Sequence, residues 1–457
     1  MPIRLMHDVL KLAGRMPRTD DDVRFTGGDP VFPTPFAIGS AGAAALGAIG
    51  LAASDLWRLR TGRGQSIAVD LRAAAASLRS NTYVLRDGKK PVSWDPLAGH
   101  YATADGRHMF LHTNHPHHRA GALRVTGART EDRAGLAAAV AKWKGQDIED
   151  AIAAAGMVGG LTRTQSEWAA HPHGRAVAML PLFEIVKIGE APPENLPAGD
   201  RPLAGVRVLD LTRVLAGPTC GRVLAENGAE VLHIAAEHLP YQTDLLMDTG
   251  HGKRGAYLDL RETANVEKLK ALVKGAHIFS QGYRPGTLAA RGFSPEALAA
   301  LRPGIVCLSL CAYSHAGPWA ERRGFDSIVQ NVTGMAVAGS SLEKPRNMPV
   351  QANDYIAGYV GALGVMLALH KRATEGGSWL VRLSLVQVAH WIGGLGTVDA
   401  SGARAELADE EIAAITMETE GPFGRLRHLK PVVRLSETPG FYARPAEPLG
   451  SSRPEWL

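Results

Sequence analysis

The stretch VRVLDLTRVLAGPTCGRVLAENGAEVLHI, residues 206–234, predicts the fold most directly. Its first part, Val206-Arg-Val-Leu-Asp-Leu211, is a period-2 apolar run that is typical of a buried strand. The turn Ala216-Gly-Pro218 follows, then a helix that reaches about Asn227 and ends at Gly228, and then a second strand at residues 230–234. Proline in the first turn of a helix and glycine just past its end follow the usual asymmetry of helix ends. The order strand, helix, strand predicts one unit of a parallel sheet.

Two more strands are predicted further along the chain, at residues 276–280 and 305–309, each after a helical segment. This alternation predicts an α/β protein, with a doubly wound, Rossmann-like parallel sheet and a smaller α+β domain. Ligands of such sheets bind at the carboxyl ends of the strands. The first turn reads LAGPTCG at residues 215–221 and lacks the dinucleotide fingerprint G-x-G-x-x-G, so we do not expect a nicotinamide-dependent dehydrogenase.

Composition and charge exclude several classes of protein. The 457 residues carry 50 Lys and Arg against 45 Asp and Glu, a dispersed excess that suits an anionic ligand but does not predict binding to nucleic acid. Cys220, Cys307 and Cys311 are too few for a disulfide framework, so we expect buried thiols and a reducing, cytoplasmic location. Residues 30–54 carry no charge but are rich in Ala and Gly, which predicts a buried helix and no membrane association.

One supersecondary unit occurs twice in the sequence. Residues 43–71 and 357–385 match at a constant offset of 314, with Gly47 aligned to Gly361 and Gly50 to Gly364. Each copy has a helix of small residues, a basic end, a glycine turn and an alternating apolar run. We therefore expect a helix followed by a strand in both places.

The repeat and the composition divide the chain into five segments. These are an N-terminal segment (1–36), the first copy (37–80), a small-domain-like region with a linker (81–200), an α/β domain that holds the second copy (201–400) and a C-terminal tail (401–457). Within the third segment, Asp105-Gly106 is typical of a hairpin turn, and residues 132–156 are predicted to be helical. Four prolines from Pro192 to Pro202 favour an extended linker.

Several polar residues stand where a ligand could bind. Lys253-Arg254 precedes a short alternating run, and paired cations at the entrance of a strand suit a phosphate or a solvated edge equally well. Arg284 follows a predicted strand and begins an Arg-Pro-Gly turn, which an ordinary type II turn also explains. Asp354 comes just before the second small-residue helix, where aspartate is a favoured N-cap. Spacing alone leaves each of these roles open.

A histidine cluster is the remaining candidate for a ligand site. His112, His115, His117 and His118 are close in sequence, but no carboxylate or cysteine joins them at the spacing of metal ligands. We therefore expect a polar loop here and no metal site.

The ordered set of motifs resembles the family III coenzyme A transferases, which include formyl-CoA and carnitine CoA-transferases and α-methylacyl-CoA racemases. The resemblance covers most of the chain from about Phe36, in an order that is rearranged or partly duplicated. It rests on these stretches: Pro202 to Leu211, Leu215-Ala-Gly-Pro, Lys253-Arg254, Tyr283-Arg-Pro-Gly, Gly324-Phe-Asp and Asn353-Asp354.

The resemblance implies a function and a set of site residues. Asp354 would be the nucleophile, ionised at neutral pH by its ordinary pKa of about 3.9, and would exchange CoA between an acyl-CoA and a small carboxylic acid through an aspartyl anhydride and an aspartyl-CoA thioester. The CoA thioester is a substrate, no other cofactor and no metal is expected, and the default assembly is a homodimer. The residues implied to bind CoA, within a CoA-binding domain at 201–400, are Leu215, Ala216, Lys253, Arg254, Arg284 and Arg291.

Two alternatives to a transferase remain. Racemases of this family resemble two-base enzymes that pair the equivalent of Asp354 with a histidine, and Phe325 stands in that position here. Phenylalanine cannot shuttle a proton, so a racemase would need another base, and Asp326 is left as an acidic neighbour of Asp354. Ser40 corresponds to Asp354 in the first copy, so that copy has no nucleophile. A catalytically inactive acyl-CoA-binding protein is the other alternative.

Overall fold

The computed structural model describes residues 1–91 and 94–457. The N-terminal part contains three helices and two strands before a short 3-10 turn at Ser80–Tyr83. In chain order they are α1 (Pro2–Lys11), β1 (Val23–Thr26), α2 (Ile38–Thr61), β2 (Ile67–Asp70) and α3 (Leu71–Ser77).

The next part is a small α+β unit followed by an edge strand of the main sheet. Its elements are β3 (Leu85–Arg86), β4 (Gly99–Ala102), β5 (His108–Leu111), α4 (Pro116–Thr126), α5 (Arg133–Val140), α6 (Gly145–Ala154), β6 (Gly159–Leu161), α7 (Gln165–Ala170), α8 (Pro172–Ala178) and β7 (Glu184–Gly189). Strands β4, β5 and β6 form an antiparallel sheet, with the predicted Asp105-Gly106 turn between the first two. The helix predicted at residues 132–156 is two helices, α5 and α6.

The α/β part supplies the other strands of the main sheet. Its elements are β8 (Arg207–Leu211), α9 (Ala216–Glu226), β9 (Glu230–Ala235), α10 (Thr243–Thr249), β10 (Lys253–Tyr257), α11 (Thr263–Lys274), β11 (Ile278–Gln281), α12 (Pro295–Leu301), β12 (Val306–Cys311), α13 (Asp326–Val332), α14 (Met335–Ala338), α15 (Ala352–Glu375), β13 (Ser378–Ser384) and α16 (Leu385–Gly393). The five strands that the sequence predicts in this part are β8, β9, β11, β12 and β13.

The main sheet has the strand order β10-β9-β8-β11-β12-β13-β7. The first six strands are parallel and follow the 3-2-1-4-5-6 order of doubly wound sheets, while β7 pairs antiparallel with β13. The predicted doubly wound α/β fold with a smaller α+β unit is therefore confirmed. Because β7 lies within residues 81–200, that segment contributes to the main sheet as well as to the small unit.

The repeat is visible in the structure at the same offset. Helices α2 and α15 have 24 residues each, and each leads into a parallel strand and a further helix. By length and composition both could cross a membrane, but the apolar stretch of each is entirely buried inside the protein. They pack against each other at the centre of the largest core, as the small residues along them allow. The predicted buried helix within residues 30–54 is confirmed.

The C-terminal segment is folded along the rest of the chain. It contains α17 (Asp409–Ile415), β14 (Thr416–Gly421), β15 (Gly424–Leu429) and β16 (Arg434–Leu435). The β14–β15 hairpin pairs with β3, and β16 pairs with β2. The last residues lie along β10, where Gly450 and Ser452 donate backbone hydrogen bonds to the carbonyl of Gly255. An otherwise open edge of the main sheet is covered in this way.

Candidate functional site

The principal cavity lies where the strand order of the main sheet reverses, between β8 and β11. Its volume is about 490 Å³. Thr212 and Arg213 reach it directly after β8, and Gly282, Tyr283 and Arg284 reach it after β11. This is the crevice at the carboxyl ends of the strands in which doubly wound sheets bind ligands.

Four arginines give this cavity a positive wall: Arg213, Arg284, Arg322 and Arg323. Burial, and after it the charge of Arg284, lower the pKa of Arg323. Cations that repel one another are stabilised by an anion placed between them. The cavity is therefore suited to a phosphorylated ligand.

Asp354 lies at the border of this cavity and a second, smaller one. It occupies the first turn of α15 and is 7% exposed. The helix dipole favours negative charge at this position. One turn further, a Cβ on Gly358 would lie 2.6 Å from the carbonyl oxygen of Ala216, so glycine is what allows α15 to approach the start of α9 this closely.

A second carboxylate stands directly behind Asp354. The Oδ2 atom of Asp326 accepts a hydrogen bond from the backbone amide of Asp354 at 3.0 Å, and Gln330 donates to Oδ1. Burial raises the pKa of Asp326 to about 6. Burial and the charge of Asp326 raise the pKa of Asp354 well above its ordinary value. The sequence expectation of an ordinary aspartate pKa is therefore wrong, because it could include neither the burial nor this neighbour.

The smaller cavity has a volume of about 100 Å³. Val214 lies in the wall of both cavities and has φ of +70°, a strained conformation for a β-branched residue. Phe325 stacks on His112 with ring centroids 4.2 Å apart. Other polar side chains of the wall come from distant parts of the chain: Asn81, Asn114, Ser327, Asn347 and Gln351.

The N-terminal part of the chain is tied to the site through Tyr355. Its hydroxyl accepts a hydrogen bond from the Asn81 amide at 3.1 Å and lies 3.0 Å from Oδ2 of Asp248. Arg222 in turn donates to Asp248 at 2.7 Å, inside the core. The small cavity is thus assembled from both halves of the sequence.

The structure brings together four of the residues that the sequence implies for the site. Leu215, Ala216, Arg284 and Asp354 all line the principal cavity. Asp326, the expected acidic neighbour, contacts Asp354.

Lys253 lies elsewhere, inside the sheet. It is the first residue of β10 and is buried, so it does not form the solvated edge that was one of its two expected roles. Its ammonium donates to Oδ2 of Asp210 at 3.0 Å and to the carbonyl of Pro218 at 2.7 Å. A buried cation needs such partners, so Lys253 is committed to the fold and does not line the described cavities.

Arg254 and Arg291 are also separated from the cavity wall. Arg254 is buried and donates to the backbone carbonyls of Glu455 and Arg453, at 2.7 and 3.2 Å, which holds the C-terminal residues against β10. Arg291 is exposed and donates to the carbonyl of Thr287 at 3.2 Å. Neither residue lines the principal cavity, so their implied contacts with CoA stay predictions.

Sequence reasoning missed three of the four cavity arginines. Arg213 lies two residues after the end of β8, which is a position that could have indicated it. Arg322 and Arg323 precede the Gly324-Phe-Asp motif, but only the fold brings them across to Arg284. Their role carries no local sequence signal.

The histidine cluster is more buried than the polar loop that was expected. His112, His115 and His118 are at most 5% exposed, and their rings pack on one another and on Phe325. In apolar surroundings, histidine rings can pack in this way as neutral imidazoles. Across residues 1–91 and 94–457, no group of three or more His, Cys, Asp or Glu side chains is arranged to hold a metal ion.

Fold and site together define an α/β protein with a cationic cavity at the sheet's switch point and a buried carboxylate at its edge. The model of CoA-transferase family III matches residues 23–195 and 203–416. The chain belongs to this family, and the resemblance seen in its motifs is confirmed.

Three curated relatives each match part of this chain. An "Acetyl-coenzyme A transferase nodX" from Hypoxylon pulicicidum is 30% identical over 261 residues, 53% of this chain and 44% of its own length. An "Acyl-CoA transferase" from Gibberella moniliformis is 33% identical over 264 residues, 54% of this chain and 46% of its own. A "Succinyl-CoA--D-citramalate CoA-transferase" from Chloroflexus aurantiacus is 31% identical over 203 residues, 41% of this chain and 50% of its own length. The chain spans about half the length of these relatives.

Solved structures show a similar partial match. The crystal structure of Rv3272 from M. tuberculosis is 31% identical, with a TM-score of 0.41, over 43% of this chain and 56% of that one.

Proposed function

We propose that this protein transfers coenzyme A from an acyl-CoA to a carboxylic acid, with Asp354 as the nucleophile. The observation that carries the proposal is the position of Asp354 between a cationic cavity and a small one. A nucleophile of this reaction must reach the thioester carbonyl, with the CoA part of the substrate on one side of it and the acyl part on the other. The names of the relatives support CoA transfer as the general activity.

The first half of the reaction moves CoA onto the enzyme. A carboxylate oxygen of Asp354 attacks the thioester carbonyl, and the C–S bond breaks to give an acyl-aspartyl anhydride and CoA thiolate. The thiolate then attacks the aspartyl carbonyl of the anhydride. This step releases the donor as a free carboxylate and leaves Asp354 as a thioester of CoA.

The second half reverses these steps with the acceptor. The acceptor carboxylate attacks the aspartyl thioester, releases the thiolate and forms a new anhydride. The thiolate attacks the acceptor's carbonyl, which gives the new acyl-CoA and frees the Asp354 carboxylate. Thioester energy is conserved only if water is kept out, and the 7% exposure of Asp354 supports this. The scheme uses CoA thioesters as substrates and needs no metal or other cofactor.

The principal cavity suits the nucleotide part of CoA. Its volume of about 490 Å³ is within the range of small-molecule sites. Arg213, Arg284 and Arg323 would pair with phosphate oxygens, because guanidinium groups bind phosphates bidentately. Leu215 and Ala216 would contact the ligand at the start of α9.

Trapping with hydroxylamine tests the proposal. The protein is incubated with acyl-CoA and then hydroxylamine, and mass spectrometry should find the hydroxamate at Asp354. Asp354→Asn should lose both trapping and CoA exchange while it keeps CoA binding. Asp354→Ser is a matched second variant, because Ser40 occupies the equivalent helix start in the first copy.

The same experiment separates the alternatives. CoA binding with no modification of Asp354 would favour an inactive acyl-CoA-binding protein. Deuterium exchange at the α carbon without CoA transfer would favour a racemase. The homodimer and the cytoplasmic location are further proposals, and light scattering and cell fractionation test them.

A further inference from the structure

The small cavity beside Asp354 is lined by groups that do not match a plain hydrocarbon chain. Three buried polar atoms of its wall have no hydrogen-bond partner within the described chain: Ser327 Oγ, His112 Nδ1 and Gln351 Oε1. Ser327 and His112 are only 7% and 5% exposed. Buried polar groups that lack a partner are costly, and in a cavity a polar ligand or water satisfies them. The occupant of the cavity should therefore form hydrogen bonds.

The charge of the same wall argues against a second carboxylate on the acyl chain. Its acidic side chains are Asp244, Asp326 and Asp354, and no Lys or Arg occurs among its described lining residues. A carboxylate at the far end of an acyl chain would meet like charge there. Three cations line only the open groove next to this cavity: Arg86, Lys89 and Lys90.

The size of the cavity limits the length of the chain that it can hold. One water-sized group needs roughly 10–15 Å³ of such space. The volume of about 100 Å³ thus holds a short chain, whereas a fatty acyl chain would have to extend beyond it.

We propose that the small cavity selects short acyl groups that carry a neutral hydroxyl, so that the thioester substrate is a short-chain hydroxyacyl-CoA; this inference rests on the proposed function. A hydroxyl donates one hydrogen bond and accepts up to two. The Gln351 oxygen can accept from it, and the Ser327 hydroxyl can donate to it. Burial lowers the pKa of His112 to about 3, so its imidazole stays neutral and can serve as either partner.

A matched pair of thioesters tests the selection: 3-hydroxybutyryl-CoA and butyryl-CoA, which have the same number of carbons. Succinyl-CoA and palmitoyl-CoA complete the series. Binding to the full chain is measured by calorimetry, and modification of Asp354 by trapping is measured separately. We expect 3-hydroxybutyryl-CoA to bind about five- to tenfold more tightly than butyryl-CoA, which is the effect of one added hydrogen bond.

Two variants show whether the cavity wall causes the preference. Ser327→Ala and Gln351→Met should each remove most of the difference between the paired thioesters, and the melting temperature identifies any variant that does not fold. Equal binding of the pair, or tighter binding of succinyl-CoA or palmitoyl-CoA, would overturn the inference. Selective binding without modification of Asp354 by any donor would support the cavity's role and contradict the proposed function instead.

Discussion

The Oδ2 atom of Asp326 accepts a hydrogen bond from the backbone amide of Asp354 at 3.0 Å, so one carboxylate holds the start of the helix that carries the other. The bond fixes the Asp354 backbone in place. The charge of Asp326 also opposes ionisation of the Asp354 side chain, and burial acts in the same direction. The first copy has the matching bond, since Asp29 accepts from the amide of Ser40 at 2.7 Å, but it has no second carboxylate for this charge to act on.

The charge of Asp326 should control the pH at which Asp354 becomes reactive. Asp326→Asn removes that charge and keeps one oxygen able to accept a hydrogen bond, so the pKa of Asp354 should fall. The acid limb of kcat/KM for CoA transfer should move to lower pH, as measured over pH 4 to 8. An unchanged profile together with an equal loss of rate at every pH would show that Asp326 acts only on structure.

The same pair should make folding stability depend on pH. The pKa of Asp326 is raised to about 6 in the folded protein, so the folded state binds more protons than the unfolded state from about pH 4 to 6. The free energy of unfolding should therefore fall as pH rises through this window, by about 3 kcal/mol for this group. Thermal unfolding of Asp326→Asn should show a smaller fall than the wild type. Parallel curves for the two proteins would contradict the assignment.

The main elements around the site could be predicted from sequence because their signals are local. The alternation in residues 206–211 and the glycines shared by the two copies depend on neighbouring residues only. The partners of Lys253 do not: Asp210 lies 43 residues away, and the two residues meet only because β9 pairs with both β8 and β10. The raised pKa of Asp354 has the same origin, because Asp326 is 28 residues distant in sequence.

Lys253 and Arg284 should respond differently to substitution, although both were expected to bind CoA. Lys253→Met leaves Asp210 buried without its cation, and breaking such a pair costs about 3–5 kcal/mol of stability. Arg284→Ala changes an exposed residue of the cavity wall, so the Kd for CoA should rise several-fold with little change in Tm.

Chemical denaturation and calorimetric CoA titration of both variants measure these effects. A normal Tm for Lys253→Met with weakened CoA binding would return Lys253 to the ligand site. Unchanged CoA affinity in Arg284→Ala would remove Arg284 from it.

Gly358 should be required for the position of Asp354. An added Cβ would lie 2.6 Å from the carbonyl oxygen of Ala216, so Gly358→Ala must push α15 away from α9, at a cost of about 1–3 kcal/mol. The shift would displace Asp354, which lies one turn away in the same helix. CoA transfer should then fall more than tenfold, because reaction rates depend on ångström-scale placement of the nucleophile. A misplacement of 1 Å can cost about 100-fold in rate. Gly361→Ala is the matched control in the same helix: its nearest contact would be 3.4 Å, to Leu308, and alanine favours a helix by about 1 kcal/mol over glycine. Equal rates for the two variants would show that the close approach of α15 to α9 does not position the nucleophile.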